Sequence, residues 1–135
     1  MMISTRGRYA LRVMIDLAEN SDGNYIPMKS VAERQNISLK YLERILPVLV
    51  KNGFIEGIQG KSGGYRLTKQ PSECVVGDIL RLTEGDLAPV ACLECSAQPC
   101  EFTADCRTKP LWHKLYGVIN ECLDSFTIAD LMKKE

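Results

Sequence analysis

Residues 38–68 read SLKYLERILPVLVKNGFIEGIQGKSGGYRLT, and the fold turns on how this stretch divides. Ser38 is suited to cap a helix. Leu39, Leu42, Ile45, Leu46 and Leu49 then recur at spacings of three and four, the stripe by which a helix buries one face. Lys40, Tyr41, Glu43 and Arg44 fall largely elsewhere on that helix and are available to a partner. Pro47 sits badly inside it, because a mid-helix proline removes a hydrogen bond and can kink or divide the helix. Asn52-Gly53 makes a C-terminal stop. Beyond it Phe54–Ile58 and Gly64–Thr68 read as a strand and its return. Gln59-Gly60-Lys61-Ser62-Gly63 between them reads as a glycine-rich turn with a lysine at its tip. The stretch is a helix followed by a hairpin that presents a basic loop.

Towards the N-terminus two more helices are expected. Ser4 or Thr5 can cap the first, whose apolar stripe is Ala10, Leu11, Val13, Met14, Leu17 and Ala18. Asn20–Asn24 reads as the loop that ends it. A short second helix fits Met28–Arg34, with Pro27 near its first turn, Met28, Val31 and Ala32 inward, and Gln35-Asn36 as the turn. Three short helices and a basic hairpin describe a winged helix-turn-helix. A helix fits the major groove, where base edges carry a distinct donor and acceptor pattern, the preceding helix crosses the backbone, and a wing adds phosphate or minor-groove contacts. Ser38, Lys40, Tyr41, Glu43 and Arg44 are the candidates on the recognition helix. Lys40 and Arg44, four apart, share a face. Lys61 with the wing backbone, and Arg6, Arg8 and Lys29, are candidates for phosphates. A winged helix can also bind protein, and any one of these charges alone is an ordinary solvated side chain.

Towards the C-terminus a fourth helix is expected from Val75 to Thr83, with Val76, Ile79, Leu80 and Leu82 apolar. Residues 84–105 read as irregular, and a segment of that length without structure of its own is expected to be functional or held by a ligand. Leu111, Trp112, Leu115, Val118, Ile119, Cys122 and Leu123 mark a long amphipathic helix. Thr127 with Asp130 looks like the cap of a last short one. Cys92, Cys95, Cys100 and Cys106 all lie in or beside the irregular segment. Thiolates are soft ligands for zinc, copper(I) and iron–sulfur clusters. Zinc usually takes two close pairs, and only Cys92-Leu-Glu-Cys95 is such a pair. The wider gaps to Cys100 and Cys106 suit a loop around a larger cluster somewhat better, although spacing alone does not decide. Cys74 and Cys122 read as structural, Cys122 as a small core or interface residue. His113, the sole histidine, reads as a partly exposed helical residue with a ligand role in reserve.

The remaining properties narrow the class. The chain has 135 residues, 45% hydrophobic and 25% charged, ordinary for a soluble globular protein. No apolar run approaches the ~18 residues needed to cross a bilayer, and the first residues lack the apolar core of a signal peptide, so a cytoplasmic location without membrane contact is expected. In a cytosolic chain clustered cysteines point to metal or redox chemistry rather than disulfides. The net charge of zero hides a split: eleven basic and six acidic side chains in residues 1–70, six and eleven in residues 71–135. A basic N-terminal half can meet a polyanion. No nucleophile–base pair, paired-carboxylate motif or phosphate loop is present, and the glycine-rich wing lacks the strand-to-helix context of a nucleotide loop. Neither an enzyme nor a small-molecule substrate is expected.

The stretches Ile3-Ser4-Thr5-Arg6-Gly7-Arg8-Tyr9-Ala10-Leu11, Ile37–Glu43, Gly60–Leu67 and Gly77-Asp78-Ile79-Leu80 together resemble the IscR/NsrR/CymR family of winged-helix transcription regulators, most of all its iron–sulfur cluster regulators. The resemblance covers nearly the whole chain. It implies a mainly α fold with a small β-hairpin: a DNA-binding domain over residues 1–84, a cysteine-rich cluster loop over 85–106, and a dimerisation helix with a final short helix over 107–135. It implies a homodimer built on a helix from about Thr108 to Asp124, whose two recognition helices read a roughly palindromic double-stranded operator. The DNA-facing set is then Thr5, Arg6, Arg8, Lys29, Ser38, Lys40, Tyr41, Glu43, Arg44, Gln59, Lys61, Ser62, Gly63 and Tyr65. Cys100 and Cys106, with Cys92 or Cys95, match the cluster ligands, for a 2Fe–2S cluster or alternatively a 4Fe–4S one. Three positions depart from the pattern. Lys109 stands where the assembly regulators carry a histidine three residues after the last cysteine, Arg8 where some relatives place a ligating carboxylate, and Gln59 where the wing commonly has arginine. The fourth ligand is therefore open among Cys92, Cys95 and His113. The implied function is a regulator, of the repressor kind, that senses iron–sulfur status and controls cluster-assembly genes. The alternatives are a cluster-free CymR-like regulator of cysteine metabolism controlled by a partner enzyme, and a zinc-stabilised binding module.

Overall fold

The computed structural model describes residues 2–94 and 105–133. Helix α1 spans Thr5–Asn20, α2 Met28–Gln35 and α3 Leu39–Lys51. Strands β1 (Ile55–Ile58) and β2 (Gly64–Leu67) follow, then α4 (Val76–Glu84), α5 (Lys109–Asp124) and α6 (Ile128–Leu131). Caps set three of these helices. Ser4 Oγ accepts from Gly7 N–H at 3.1 Å and Ser38 Oγ from Tyr41 N–H at 3.1 Å. At α6 Thr127 and Asp130 form a reciprocal box, with Asp130 Oδ2 accepting from Thr127 N–H at 2.8 Å. Helix α2 ends at Asn36 in the left-handed region, a conformation asparagine tolerates, and this turns the chain sharply into α3.

The main core joins α1 to α3 and the wing. Ala10, Val13, Met14 and Leu17 of α1 meet Val31, Leu42, Ile45 and Leu49, all with no accessible surface. Pro47 lies inside α3 without ending it. The N–H it lacks would have met the Glu43 carbonyl, and both residues are exposed, so no buried acceptor is orphaned. Leu39, expected in the buried stripe, is 44% exposed. It is the first residue after the Ser38 cap and points away before the helix reaches α1. Ala32 and Leu82 are likewise only half-buried.

Strands β1 and β2 pair antiparallel, with Ile55 opposite Leu67 and Gly57 opposite Tyr65. The segment before α2 adds a third rung: Ile26 and Tyr65 exchange two backbone hydrogen bonds of 2.8 Å. Gly64 must stay bare there, since a Cβ would stand 2.2 Å from the Ile26 carbonyl oxygen. Tyr65 lays its ring across Gly57, where a Cβ would come within 2.7 Å of it.

A second cluster, Val76, Leu80 and Leu87, receives Tyr116, Ile119 and Leu123 of α5. Arg81 bolts the two helices together, donating to Asp124 at 2.8 and 2.9 Å and to Asn120 at 2.8 Å. After α5 the chain returns to the main core. Val76 N–H donates to Phe126 O and Ile128 N–H to Cys74 O, both at 2.9 Å, and Ile128 is wholly buried. Among the described residues no helix is long and apolar enough to cross a membrane.

Candidate functional site

Helix α3 presents its outer side at the surface. At 100° per residue Lys40, Glu43, Arg44 and Pro47 share one arc, and all are exposed, as is the capping Ser38. Tyr41 turns from that arc towards α1 and is half-buried, its ring edge-on to Tyr9 at 5.3 Å and 74°. The Tyr9 ring is in turn covered by the Arg12 guanidinium at 5.2 Å. Arg12 donates to the Gln35 side chain at 3.2 Å and to the Gln35 carbonyl, at the end of α2. The same Gln35 donates 2.9 Å to Asp16, a carboxylate with 1% exposure that also accepts from Arg34 at 3.0 and 2.7 Å. The hydrogen bond to Asp16 raises the pKa of Arg34. Helices α1, α2 and α3 are thus locked around the helix-turn-helix by one polar chain. Sequence patterns do not pick out its members. The one local signal is an acid, Asp16, set between Met14 and Leu17 of an apolar stripe.

Arg6, Tyr41 and Arg44 line a cleft of about 340 Å³ between the start of α1 and α3. The start of α1 carries the other expected contacts. Thr5 is half-buried and accepts 3.1 Å from the exposed Arg8, and Lys29 is exposed on α2. In the wing Gln59, Lys61 and Ser62 are exposed at the tip, and Gly63 N–H donates to Gly60 O at 3.0 Å to close it. Arg66 braces the wing's base, 2.7 Å from Glu56 and over the Tyr25 ring at 4.3 Å. Tyr65, expected at the DNA, is half-buried and packed on Gly57 and the core. The remaining thirteen expected residues fall on the α1 start, α2, α3 and the wing tip.

Two of the four expected cysteine ligands, Cys95 and Cys100, lie outside the described residues. Cys92 is exposed in a short turn, Ala91–Leu93, and Cys106 is half-buried just before α5. The Thr108 hydroxyl, 3.5 Å from Cys106 Sγ, lowers that thiol's pKa, which favours the thiolate a soft metal requires. The donor chemistry therefore fits a thiolate-bound group. Among the described residues no three Cys, His, Asp or Glu side chains converge as ligands. His113 is exposed on α5. Cys74 is buried, and that burial raises its thiol pKa, as a structural residue should behave. Cys122 is exposed, which removes a core role and leaves an interface one.

One contact joins the cysteine segment to the candidate DNA face. Glu84, the last residue of α4, accepts from Ser4 N–H at 3.0 Å and from Ser4 Oγ at 2.6 Å. Gly7 makes room for it, since a Cβ there would stand 2.4 Å from the Glu84 carboxylate. Helix α5 shows two neighbouring stripes. Tyr116, Ile119 and Leu123 face the second core cluster. Leu111, Leu115, Val118 and Cys122 form the other, all exposed.

The profile of the Rrf2 family, described as an iron-dependent transcriptional regulator, matches residues 3–134. Protein rrf2 of Nitratidesulfovibrio vulgaris Hildenborough is 37% identical over 133 residues, covering 98% of this chain and 88% of its own. The structure of CymR, the global cysteine regulator of B. subtilis, superposes with a TM-score of 0.81 at 35% identity, covering 97% of this chain and 95% of its own. That of T. potens IscR superposes with a TM-score of 0.75 at 37% identity, covering 97% and 85%. These likenesses are to transcription regulators and not to enzymes, and they agree with the winged-helix reading of residues 38–68.

Proposed function

Because this chain belongs to the Rrf2 family of transcriptional regulators, we propose that it binds an operator in double-stranded DNA as a cytoplasmic homodimer and acts as a repressor governed by an iron–sulfur cluster. The observation that carries the DNA-binding reading is the exposed arc of α3, with Lys40, Glu43 and Arg44 beside a basic wing tip at Lys61. Helix N-terminal residues of this kind reach base edges in the major groove, and the wing adds backbone contacts. The outward stripe of α5 supports the dimer, since Leu111, Leu115 and Val118 are 56%, 38% and 53% exposed. A second copy over that stripe would remove it from water and hold two recognition helices about one DNA turn, ~34 Å, apart. In this reading residues 1–84 bind DNA, 85–106 sense and 107–135 dimerise, with α6 returning to brace α1.

Cys100 and Cys106, with Cys92 or Cys95, would hold the cluster, 2Fe–2S in the favoured form. The other of Cys92 and Cys95, or His113, could complete the set where Lys109 cannot. Bound there, a cluster supplies electron-transfer and sulfide chemistry that iron, oxygen or nitric oxide alters. The chain's part is mechanical. The segment starts beside Glu84, which holds Ser4, and ends beside Thr108, which opens α5. A group bound in the segment would therefore act on the first turn of α1 and on the dimer helix together. Such a change alters DNA affinity only through a difference in free energy between the two states. Target genes would be those of cluster assembly.

A second reading has its own support in the 37% identity to CymR of Bacillus subtilis over 131 residues: a cluster-free regulator of sulfur metabolism controlled by a partner enzyme. Anaerobic purification, with an absorbance spectrum and iron, sulfide and zinc analysis of one sample, separates the two. Iron with acid-labile sulfide and a visible charge-transfer band, lost in Cys100→Ala and Cys106→Ala, is the expected result. Protein that stays colourless and iron-free after attempted reconstitution overturns the cluster and favours the second reading. Stoichiometric zinc without salt-dependent DNA affinity would instead indicate a zinc-stabilised binding module.

A further inference from the structure

The cleft between α1 and α3 separates two tasks that the surface of α3 otherwise mixes. Arg8, Arg12, Arg34, Arg66 and Arg81 each donate to an oxygen of the protein. Arg6, Arg44 and Arg107 have no such partner among the described residues, and of these Arg6 and Arg44 line the cleft together with Tyr41. Two like charges are brought together in a concavity, an arrangement suited to an anion.

The tyrosine of the cleft is braced by its neighbours. Tyr41 N–H is tied to Ser38, and its ring stands against Tyr9. Tyr9 is covered by Arg12, itself fastened to the end of α2. The Tyr41 ring therefore stands apart from the arc that carries Lys40 and Glu43. When the outer arc of a helix lies in the major groove, the sugar–phosphate backbone runs past its flank, and the cleft is on that flank. Guanidinium groups match phosphate oxygens with paired N–H donors.

Resting on the DNA-binding reading above, we propose that Arg6, Tyr41 and Arg44 form a phosphodiester cleft. It seats one backbone phosphate in each half-site and supplies affinity independent of base sequence, and base reading falls to Lys40 and Glu43. Sharing of one phosphate by two arginines has a consequence for salt dependence. Each phosphate neutralised releases its condensed counterions once, so the slope of log K against log salt falls by about 1 for each phosphate left without its cation. Removing both arginines cannot lower it by more than the one phosphate they share.

The test uses the full chain and a duplex that the wild-type protein selects from a random-sequence pool, together with a scrambled version of that duplex. Binding is measured at four salt concentrations for wild type, Arg6→Ala, Arg44→Ala and the double variant, with circular dichroism as the check on folding. The expected result has three parts. Each single variant weakens both duplexes by the same factor, and their affinity ratio is unchanged. The slope hardly moves in either single variant, because the remaining arginine still neutralises the shared phosphate, and falls by about 1 in the double variant. One methylphosphonate per half-site, scanned along the selected duplex, abolishes the effect of Arg44→Ala at one position. A loss confined to the selected duplex makes Arg44 a base reader and overturns the cleft. A slope that falls by about 1 in each single variant means two phosphates and overturns it also. If the wild type binds no duplex at all, the DNA-binding reading falls first and the cleft with it, whereas wild-type binding with unchanged variants removes the cleft alone.

Discussion

Asp16→Ala is expected to cost about 2–4 kcal/mol and to loosen α2 from α1. The carboxylate is 1% exposed and accepts three hydrogen bonds, from Arg34 at 3.0 and 2.7 Å and from Gln35 at 2.9 Å. Hydrogen bonds to a charged group contribute ~1.5–3 kcal/mol each, and breaking a buried pair by removing one partner costs ~3–5 kcal/mol. The expected figure lies below the top of that range because the Arg34 side chain is 39% exposed and recovers water when released. Gln35 also keeps its bond from Arg12. The reverse change, Arg34→Ala, strands the buried acid and should cost at least as much. In the double variant no charge is left alone, so its cost should fall short of the sum by about 2 kcal/mol. Urea unfolding at fixed protein concentration reads this directly. With a slope of ~1–3 kcal/mol per molar, the midpoint of Asp16→Ala should drop by roughly 1–2 M with the slope unchanged. A drop under ~0.3 M, or additive single effects, would refute the reasoning, because the carboxylate would then be neither paired nor buried in solution.

Gly64→Ala should detach the wing, since its Cβ meets the Ile26 carbonyl at 2.2 Å. A loss of about 2 kcal/mol or more in urea unfolding, with weaker DNA binding, is expected, and a stable variant with intact affinity would count against the Ile26–Tyr65 rung. Glu84→Ala removes the acceptor of two Ser4 hydrogen bonds, of 3.0 and 2.6 Å, and should cost ~1–2 kcal/mol, with Ser4→Ala adding on top only its cap of α1, ~0.5–2 kcal/mol. Burial raises the pKa of Cys74, so the folded state holds that proton longer than the unfolded chain does. The stability this contributes is complete below the ordinary thiol value of 9.0 and is lost as pH rises above it. Urea titrations from pH 7 to 10 should therefore show a decline that Cys74→Ala flattens. Val118→Glu places a charge on the outward stripe of α5 at a site 53% exposed in the single chain. It should leave folding intact while sedimentation reports a monomer, and a dimer that persists would put the interface elsewhere.

Much of this architecture is legible in the sequence because its signals are local. Ser38 three residues before Tyr41, Thr127 three before Asp130, and a Gln-Gly-Lys-Ser-Gly turn between alternating residues each name their structure within a few positions. Leu39 departs from its expected burial because periodicity cannot say which residue of the first turn comes before the helix meets its partner. The polar framework is not legible for a different reason. Arg34 is 18 residues from Asp16, and Glu84 is 80 from Ser4, so nothing nearby marks either pair. Sequence groups α6 with the dimer helix, and the structure adds that Ile128 is buried in the main core with α6 packed on α1. The residues expected at DNA fall on a few elements, but the separation of Tyr41 from the outer arc of α3 needs the position of Tyr9. Of the four expected cysteine ligands, Cys92 and Cys106 alone fall among the described residues, with Cys106 anchored at the α5 start.

These connections bear on how a signal in the cysteine segment could reach DNA. Helix α3 is a poor candidate for the moving part. It is fastened to α1 by Leu42, Ile45 and Leu49, all without accessible surface, and by the Tyr41–Tyr9 contact. The first turn of α1 is held by α4 instead, with Gly7 packed close on Thr83 and Leu80. Its N-terminal side rests on Glu84, and Gly7 and the half-buried Thr5 lie beside that contact. Arg6 sits in this turn and forms one wall of the cleft. A segment state that withdraws Glu84 would release two hydrogen bonds, free the turn and move one arginine of a pair, with the recognition helix left in place. Affinity would then change through backbone contacts while base preference is kept. A segment acting through α5 would instead alter the spacing of two intact half-sites, because Arg81 carries α5 with α4 as one body. The two routes differ in their response to operator spacing: the first weakens every duplex alike, whereas the second changes which half-site spacing is preferred.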